Sequence, residues 1–216
     1  MGAYPVLIAG GSIYIEHLMR NTTIGKYALV FFIAIMSIPM IPYGIPILPI
    51  DQARCYMQKA AELGLSSPLR WEDGEYYELP QDYADMHGWE EMVAKVAKKY
   101  HSFSEEKKAS ILIEGGGYYH SGPINYYREK YDLPESYSFS ANFILWINEQ
   151  AQFDHMIIVQ DWKNMDTTFF SNVVLIDSIE SSFARDHGYI IYRSEPKVDI
   201  PNLWNNLVEE RRAWLE

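Results

Sequence analysis

The sequence predicts an α/β protein: one or two N-terminal membrane helices, followed by a small, mostly parallel sheet with flanking helices. Three observations carry this expectation. Residues 27–49 contain no charge over 23 positions, and a straight helix of that length at about 1.5 Å per residue would cross a hydrocarbon core of roughly 30 Å. From Ala109 onward, short apolar runs alternate with helical patterns, the arrangement of strands that lie parallel with helices between them. Between these regions, Trp89, Met92, Val93, Val96, Ala97 and Tyr100 recur at helical spacing.

The uncharged run has a defect in its second half. Pro39, Pro42, Pro46 and Pro49 each lack an N–H and crowd the preceding turn. The run therefore reads as a helix over 26–38 and a kinked or extended segment over 39–49. The alternative is a core helix and loop in a water-borne protein. Upstream, residues 3–19 are apolar apart from Glu16 and His17, with Gly10 and Gly11 allowing close helix–helix approach. About 16 residues reach only ~24 Å, marginal for a span. Arg20 and Lys26 flank the intervening link and place it on the cytoplasmic side by the positive-inside rule. Residues 1–49 thus read as a membrane hairpin, the end of a polytopic membrane region, and 50–216 as an extracytoplasmic α/β domain.

Within that domain, 50–64 reads as a short helix ended by Gly64, and 66–78 as a polar loop. Residues 88–101 form an amphipathic helix; Glu90 and Glu91 open it, and Lys98 and Lys99 close it, in keeping with the helix dipole. Strands are expected at 109–114, 156–160, 173–179 and 188–193, with helices at 123–131 and 201–215 and one helical turn within 165–172. Residues 137–146 are aromatic and of unassigned structure.

Composition narrows the function classes. A formal charge of −11 disfavours nucleic acid, whose phosphates call for Lys and Arg. The single Cys55 excludes an intramolecular disulfide and any multi-cysteine metal site. The 17 Tyr and 6 Trp suit sugar-binding surfaces and membrane interfaces as well as cores. No signal peptide is read, and Val6 breaks the myristoylation pattern.

Residues 115–123, GGGYYHSGP, form the richest candidate site. Three glycines before a helix can bring backbone amides to an anion, or simply build a tight strand-to-helix turn. His120 and Ser121 raise a weaker idea, a small hydrolase, although no nucleophile elbow surrounds them. Asp82 and Asp85 stand before a helix, where carboxylates bind metal, exchange protons or cap the helix. Asp154-His155 and Asp186-His187 match no metal-ligand spacing and read as solvated loop charges. No cofactor is expected; a divalent metal stays open, without support from the sequence.

Residues 79–92, LPQDYADMHGWEEM, resemble a stretch of the bacterial membrane glycosyltransferases of the protein O-mannosyltransferase-like, aminoarabinose-transferase-like group. The likeness runs along nearly the whole chain: Ala3, Tyr4 and Pro5 with Gly10, Gly11 and Glu16; Pro42 with 45–49; Tyr131, Leu133 and Pro134; Ser138, Asn142, Leu145 and Trp146. The chain departs from the family pattern at 117–123, where His120 replaces an acidic residue, and at Phe139, Ser140 and Ala141. The resemblance implies an enzyme taking sugar from a polyprenyl-phosphate donor, whose catalytic acids lie in early loops among N-terminal membrane helices. On this reading the chain is a fragment, a split subunit or a degenerate relative. It would sit in the bacterial inner membrane with its C-terminal domain in the periplasm, beside membrane lipid and an upstream catalytic membrane subunit. The expected contribution is substrate contact rather than the catalytic acid, through Gln81, Asp82, Asp85, Tyr118, His120, Asn142 and Trp146. The alternative is a non-catalytic membrane-anchored interaction or sugar-binding module.

Overall fold

A computed structural model describes residues 4–147 and 151–213. They fall into two compact units, Met1–Pro80 and Gln81–Glu216.

The first unit is helical. Helices α1 (Tyr4–Leu18) and α2 (Thr23–Ser37) are followed by α3 (Met40–Gly44) and α4 (Ile50–Glu62). Pro39 stands at the N-cap of α3, so the chain turns there. The Tyr56 hydroxyl of α4 donates to the Pro39 carbonyl. Farther on, the Trp71 ring stacks on Tyr77 at 3.7 Å, and its indole N–H donates to Leu79 O at 2.9 Å.

The membrane expectation is corrected here. Among the described residues, no helix is long and apolar enough to cross a membrane. Helices α1 and α2 have 15 residues each, about 22 Å at 1.5 Å per residue. Residues 19–22 break the first, and the proline series ends the second. The uncharged run counted 23 positions, but α2 takes only its first half. Neither helix buries a residue, and Val6, Leu7, Phe31 and Phe32 lie exposed.

The second unit is a three-layer α/β structure. Its elements are α5 (Gln81–Met86), α6 (Trp89–His101), α7 (Glu105–Lys108), β1 (Ile111–Gly115), α8 (Tyr118–Tyr131), β2 (Ser136–Tyr137), β3 (His155–Gln160), β4 (Phe170–Asp177), β5 (Tyr189–Pro196) and α9 (Ile200–Ala213). A short 3-10 segment, Ala141–Trp146, occupies the aromatic stretch. The strand order is β2-β1-β3-β5-β4.

Successive residues of β1 and β3 point to opposite faces of the sheet. Ile113 lies beside Ile157 in register, and both join Met92, Val93 and Val96 of α6 and Ile124 of α8 in one core. Leu112, Met156 and Ile158 face the other way and pack with Trp204 and Val208 of α9. Burial on both faces explains why β1 and β3 read as continuous apolar runs rather than alternating ones.

The expected mostly parallel sheet is corrected to a mixed one. Strand β1 pairs parallel with β2 and β3, while β5 pairs antiparallel with both β3 and β4. Residues 165–172 hold no helical turn: 165–169 are loop and 170–172 open β4. The β4–β5 connection also lacks a helix, and strands joined without a crossover helix return antiparallel. Helix α8 starts at Tyr118, five residues before the expected 123, with Gly117 at its N-cap. Pro123 is buried inside that helix and forgoes one backbone hydrogen bond.

Glu114 is the last residue of β1 but one, beside the glycine turn. Burial pushes its carboxyl up to about 7, against the opposing pull of Arg193 on β5. A carboxyl raised above its unfolded value favours folding fully below the unfolded value, and that contribution is lost as pH climbs through the folded one. Stability is therefore lost between about pH 4.5 and 7. Glu114→Gln is expected to stabilise the protein by about 3 kcal/mol at alkaline pH and to change little near pH 4. Urea denaturation of both proteins at the two pH values reads the difference directly.

Candidate functional site

Three elements end at one edge of the sheet. Strand β1 gives way to α8, β3 ends at Gln160 just before Asp161, and β5 begins shortly after Asp186. Because β5 runs against β3, Gln160 sits opposite Tyr189. The start of β5 thus lies at the edge where β1 and β3 finish, the usual place for ligands in α/β sheets.

The glycine turn sets the approach. A Cβ on Gly115 would meet Ser121 Oγ at 2.5 Å, and one on Gly117 would meet the Tyr119 ring at 2.4 Å. These glycines are needed for packing alone. The Gly115 N–H donates to Ser121 Oγ at 3.1 Å, and Ser121 Oγ donates to Tyr137 O at 2.7 Å. Ser121 is fully buried and ties β1, α8 and β2 together. The hydrolase idea fails on this geometry, because the hydroxyl is committed to the backbone and the His120 imidazole reaches carboxylates instead.

His120 is 2 % exposed. Its Nε2 lies 2.5 Å from Asp186 Oδ2 and 3.3 Å from Asp161 Oδ1. The other oxygens are held from outside: the Tyr119 hydroxyl donates to Asp161 Oδ2 at 2.5 Å, and the Gly188 N–H donates to Asp186 Oδ1 at 2.8 Å. Burial works to raise Asp186, but hydrogen bonds from His120, Asp161 and Gly188 outweigh it and hold the carboxyl at about 2. Asp161 moves the other way, raised by burial and by its hydrogen bond with Asp186. Two carboxyl groups this close do not both ionise freely, and of the two Asp161 is the one pushed toward its protonated form. Tyr119 is raised by burial and by its bond to Asp161. The four groups form one hydrogen-bonded cluster, and because an ionised carboxylate only accepts, His120 Nε2 is assigned as the donor to Asp186.

The 178–188 segment that carries Asp186 is pinned from several sides. The Ile179 N–H donates to His187 O at 2.6 Å. Gly188 has φ +48, and a Cβ there would meet Ile179 at 2.8 Å, so both conformation and space favour glycine. Lys95 of α6 reaches Glu91 at 2.8 Å, Asp177 at 3.1 Å and Glu180 at 3.2 Å, and donates to Ser178 O at 2.7 Å. Burial lowers the Lys95 ammonium pKa, but these carboxylates carry it well above the ordinary value.

Beside the cluster lies a cavity of about 850 Å³ lined by aromatic rings, among them Trp89, Tyr118, Tyr119, Tyr126, Tyr127 and Phe143, together with Glu90 and Glu91. Tyr119 belongs to both the wall and the cluster.

The sequence-derived candidates divide three ways. Tyr118 lines the cavity and His120 centres the cluster. Asp85 is drawn close by Arg185, whose Nη1 contacts its two oxygens at 3.1 and 3.2 Å. Gln81 is half-buried and Asp82 exposed at the start of α5, apart from the cavity lining. Asn142 and Trp146 are exposed on the 3-10 segment, where Phe143 supplies the cavity wall. The reading of Asp186 as a solvated loop charge is corrected, since it is half-buried against His120. Asp161 was not anticipated, and Tyr119 entered only as part of the 115–123 stretch. The one sequence signal for Asp161 is its place immediately after the buried run MIIVQ.

Compared with protein-family models, curated proteins and solved structures, the chain matches none.

Lys95→Met removes the cation that three carboxylates share. It is expected to cost about 2 kcal/mol and to speed amide exchange more across 177–188 than across β1, read by hydrogen-exchange mass spectrometry.

Proposed function

We propose that the C-terminal unit binds a sugar, as the substrate-contacting part of a glycosyltransferase that uses a polyprenyl-phosphate-linked donor, and that it does not supply the catalytic acid. One observation carries the reading: an aromatic cavity opens beside a cluster of carboxyl, imidazole and phenol groups. Sugars present apolar C–H faces and a ring of hydroxyls. Aromatic rings fit the faces, and a few convergent polar groups fix orientation. Trp89, Tyr118 and Tyr126 supply the first kind of contact, and Glu90 and Glu91 line the cavity for the second. The motif residues at 79–92 support the glycosyltransferase assignment. Their tryptophan, Trp89, is also a wall of the cavity.

Glycosyl transfer needs a base for the acceptor and stabilisation of the leaving phosphate. The cavity offers acidic groups and aromatic faces, which suits holding a sugar better than neutralising a phosphate. The second reading, a sugar-binding module without a part in transfer, rests on that same acidic lining.

Calorimetric titration with a short-chain prenyl-phosphate sugar and with the free sugar tests the proposal. Saturable binding of the prenyl-linked sugar is expected, weakened about tenfold or more (about 1.4 kcal/mol) by Tyr126→Ala. Binding of the free sugar with equal affinity favours the module reading. No saturable heat with either ligand contradicts both.

A further inference from the structure

We propose that His120, Asp161 and Asp186 form a three-ligand site for a divalent cation. The inference goes beyond the sugar reading and does not depend on it. One atom from each residue converges: His120 Nε2, Asp161 Oδ1 and Asp186 Oδ2, with the ligand atoms of the three groups all within 4.8 Å of one another. The pattern of outer hydrogen bonds is the telling feature. Tyr119 takes the Asp161 oxygen that faces away, and the Gly188 N–H takes the Asp186 oxygen that faces away. Each carboxylate is thereby oriented with one oxygen turned inward, as outer hydrogen bonds orient metal-binding groups generally. The imidazole is buried and cannot swing out, so the convergence is built into the fold.

The donor set is one nitrogen and two carboxylate oxygens. It lacks thiolate, and Cys55 belongs to the other unit, so the site suits manganese- or zinc-type ions rather than soft metals. Ligands about 2.1 Å from such an ion stand about 3 Å apart at right angles. The His120–Asp161 spacing of 3.3 Å already meets this, and the shorter His120–Asp186 contact need open by only about 0.5 Å. Three protein ligands leave further positions for water or a substrate oxygen. Asp161, with 41 % of its side chain exposed, marks the open side.

The cation takes the place of the hydrogen on Nε2, which moves to Nδ1. Among the described residues Nδ1 has no hydrogen-bond partner, so the imidazole lacks the outer anchor that tight sites have. Binding is therefore expected in the range reached by millimolar metal.

Titration of the full chain with manganese(II) alone, without sugar, tests this. The free-ion signal in electron paramagnetic resonance is expected to fall with one ion bound per chain. The melting temperature is expected to rise by about 3 °C or more in millimolar manganese. Asp161→Asn, a change at a half-exposed residue that leaves the fold intact by circular dichroism, is expected to weaken binding at least about tenfold. Asp154→Asn, beside the other imidazole–carboxylate pair at His155, is expected to retain it. Absence of ion uptake by the native protein, or equal uptake by Asp161→Asn, overturns the proposal. Either result leaves the sugar titration to stand or fall separately.

Discussion

Strand β5 runs against β3, and the candidate site depends on that reversal. Parallel strands would have delivered Asp186 to the opposite edge of the sheet, far from the end of β1. With β5 inserted antiparallel between β3 and β4, the residue before it arrives where Asp161 leaves β3 and where His120 enters α8. The contact that results joins residues 66 positions apart. Its cost is the burial of an imidazole and of most of the Asp186 carboxyl group, offset because each polar atom facing the cluster has a partner there. The same reversal needs a loop that can be held still, and Lys95, Gly188 and the Ile179–His187 bond hold it. The helix that supplies Lys95 also packs Met92, Val93 and Val96 into the core behind the sheet, so the fold and the site share one support.

Much of the second unit was legible in the chain. The spacing of apolar residues from Trp89 to Tyr100 identified α6, and buried runs such as ILI and MIIV identified β1 and β3. His120 and Tyr118 were reachable because they follow a strand and three glycines. Asp161 and Asp186 were not, and Tyr119 only as a member of that stretch, because the way the three meet lies in strand order. No local pattern says that a strand near 190 will insert beside one near 157. The absence of a helix in 178–188 was the available signal, and it was outweighed by the alternation of strands and helices earlier in the chain. The aromatic wall was only half legible: Trp146 and Asn142 fitted the family resemblance, yet Phe143 is the residue of that segment that lines the cavity.

The first unit shows how a count of apolar residues overshoots. Charge-free length predicted a span, but helix length is set by backbone geometry. The turn at 19–22 and the prolines from Pro39 onward divide the sequence into helices of 15, 15 and 5 residues. Proline ends a helix by removing a donor and crowding the preceding turn, whatever the hydropathy around it.

The central claim is that His120 is locked as a donor to Asp186 at the sheet edge. Long-range nitrogen–proton NMR of the His120 ring in metal-free protein tests it most directly. The hydrogen is predicted on Nε2, strongly deshielded and slow to exchange with water, with Nδ1 bare, since a buried N–H without a partner is costly. A ring that carries its hydrogen on Nδ1, or one that exchanges freely between tautomers, would contradict the cluster as described and with it the site built upon it.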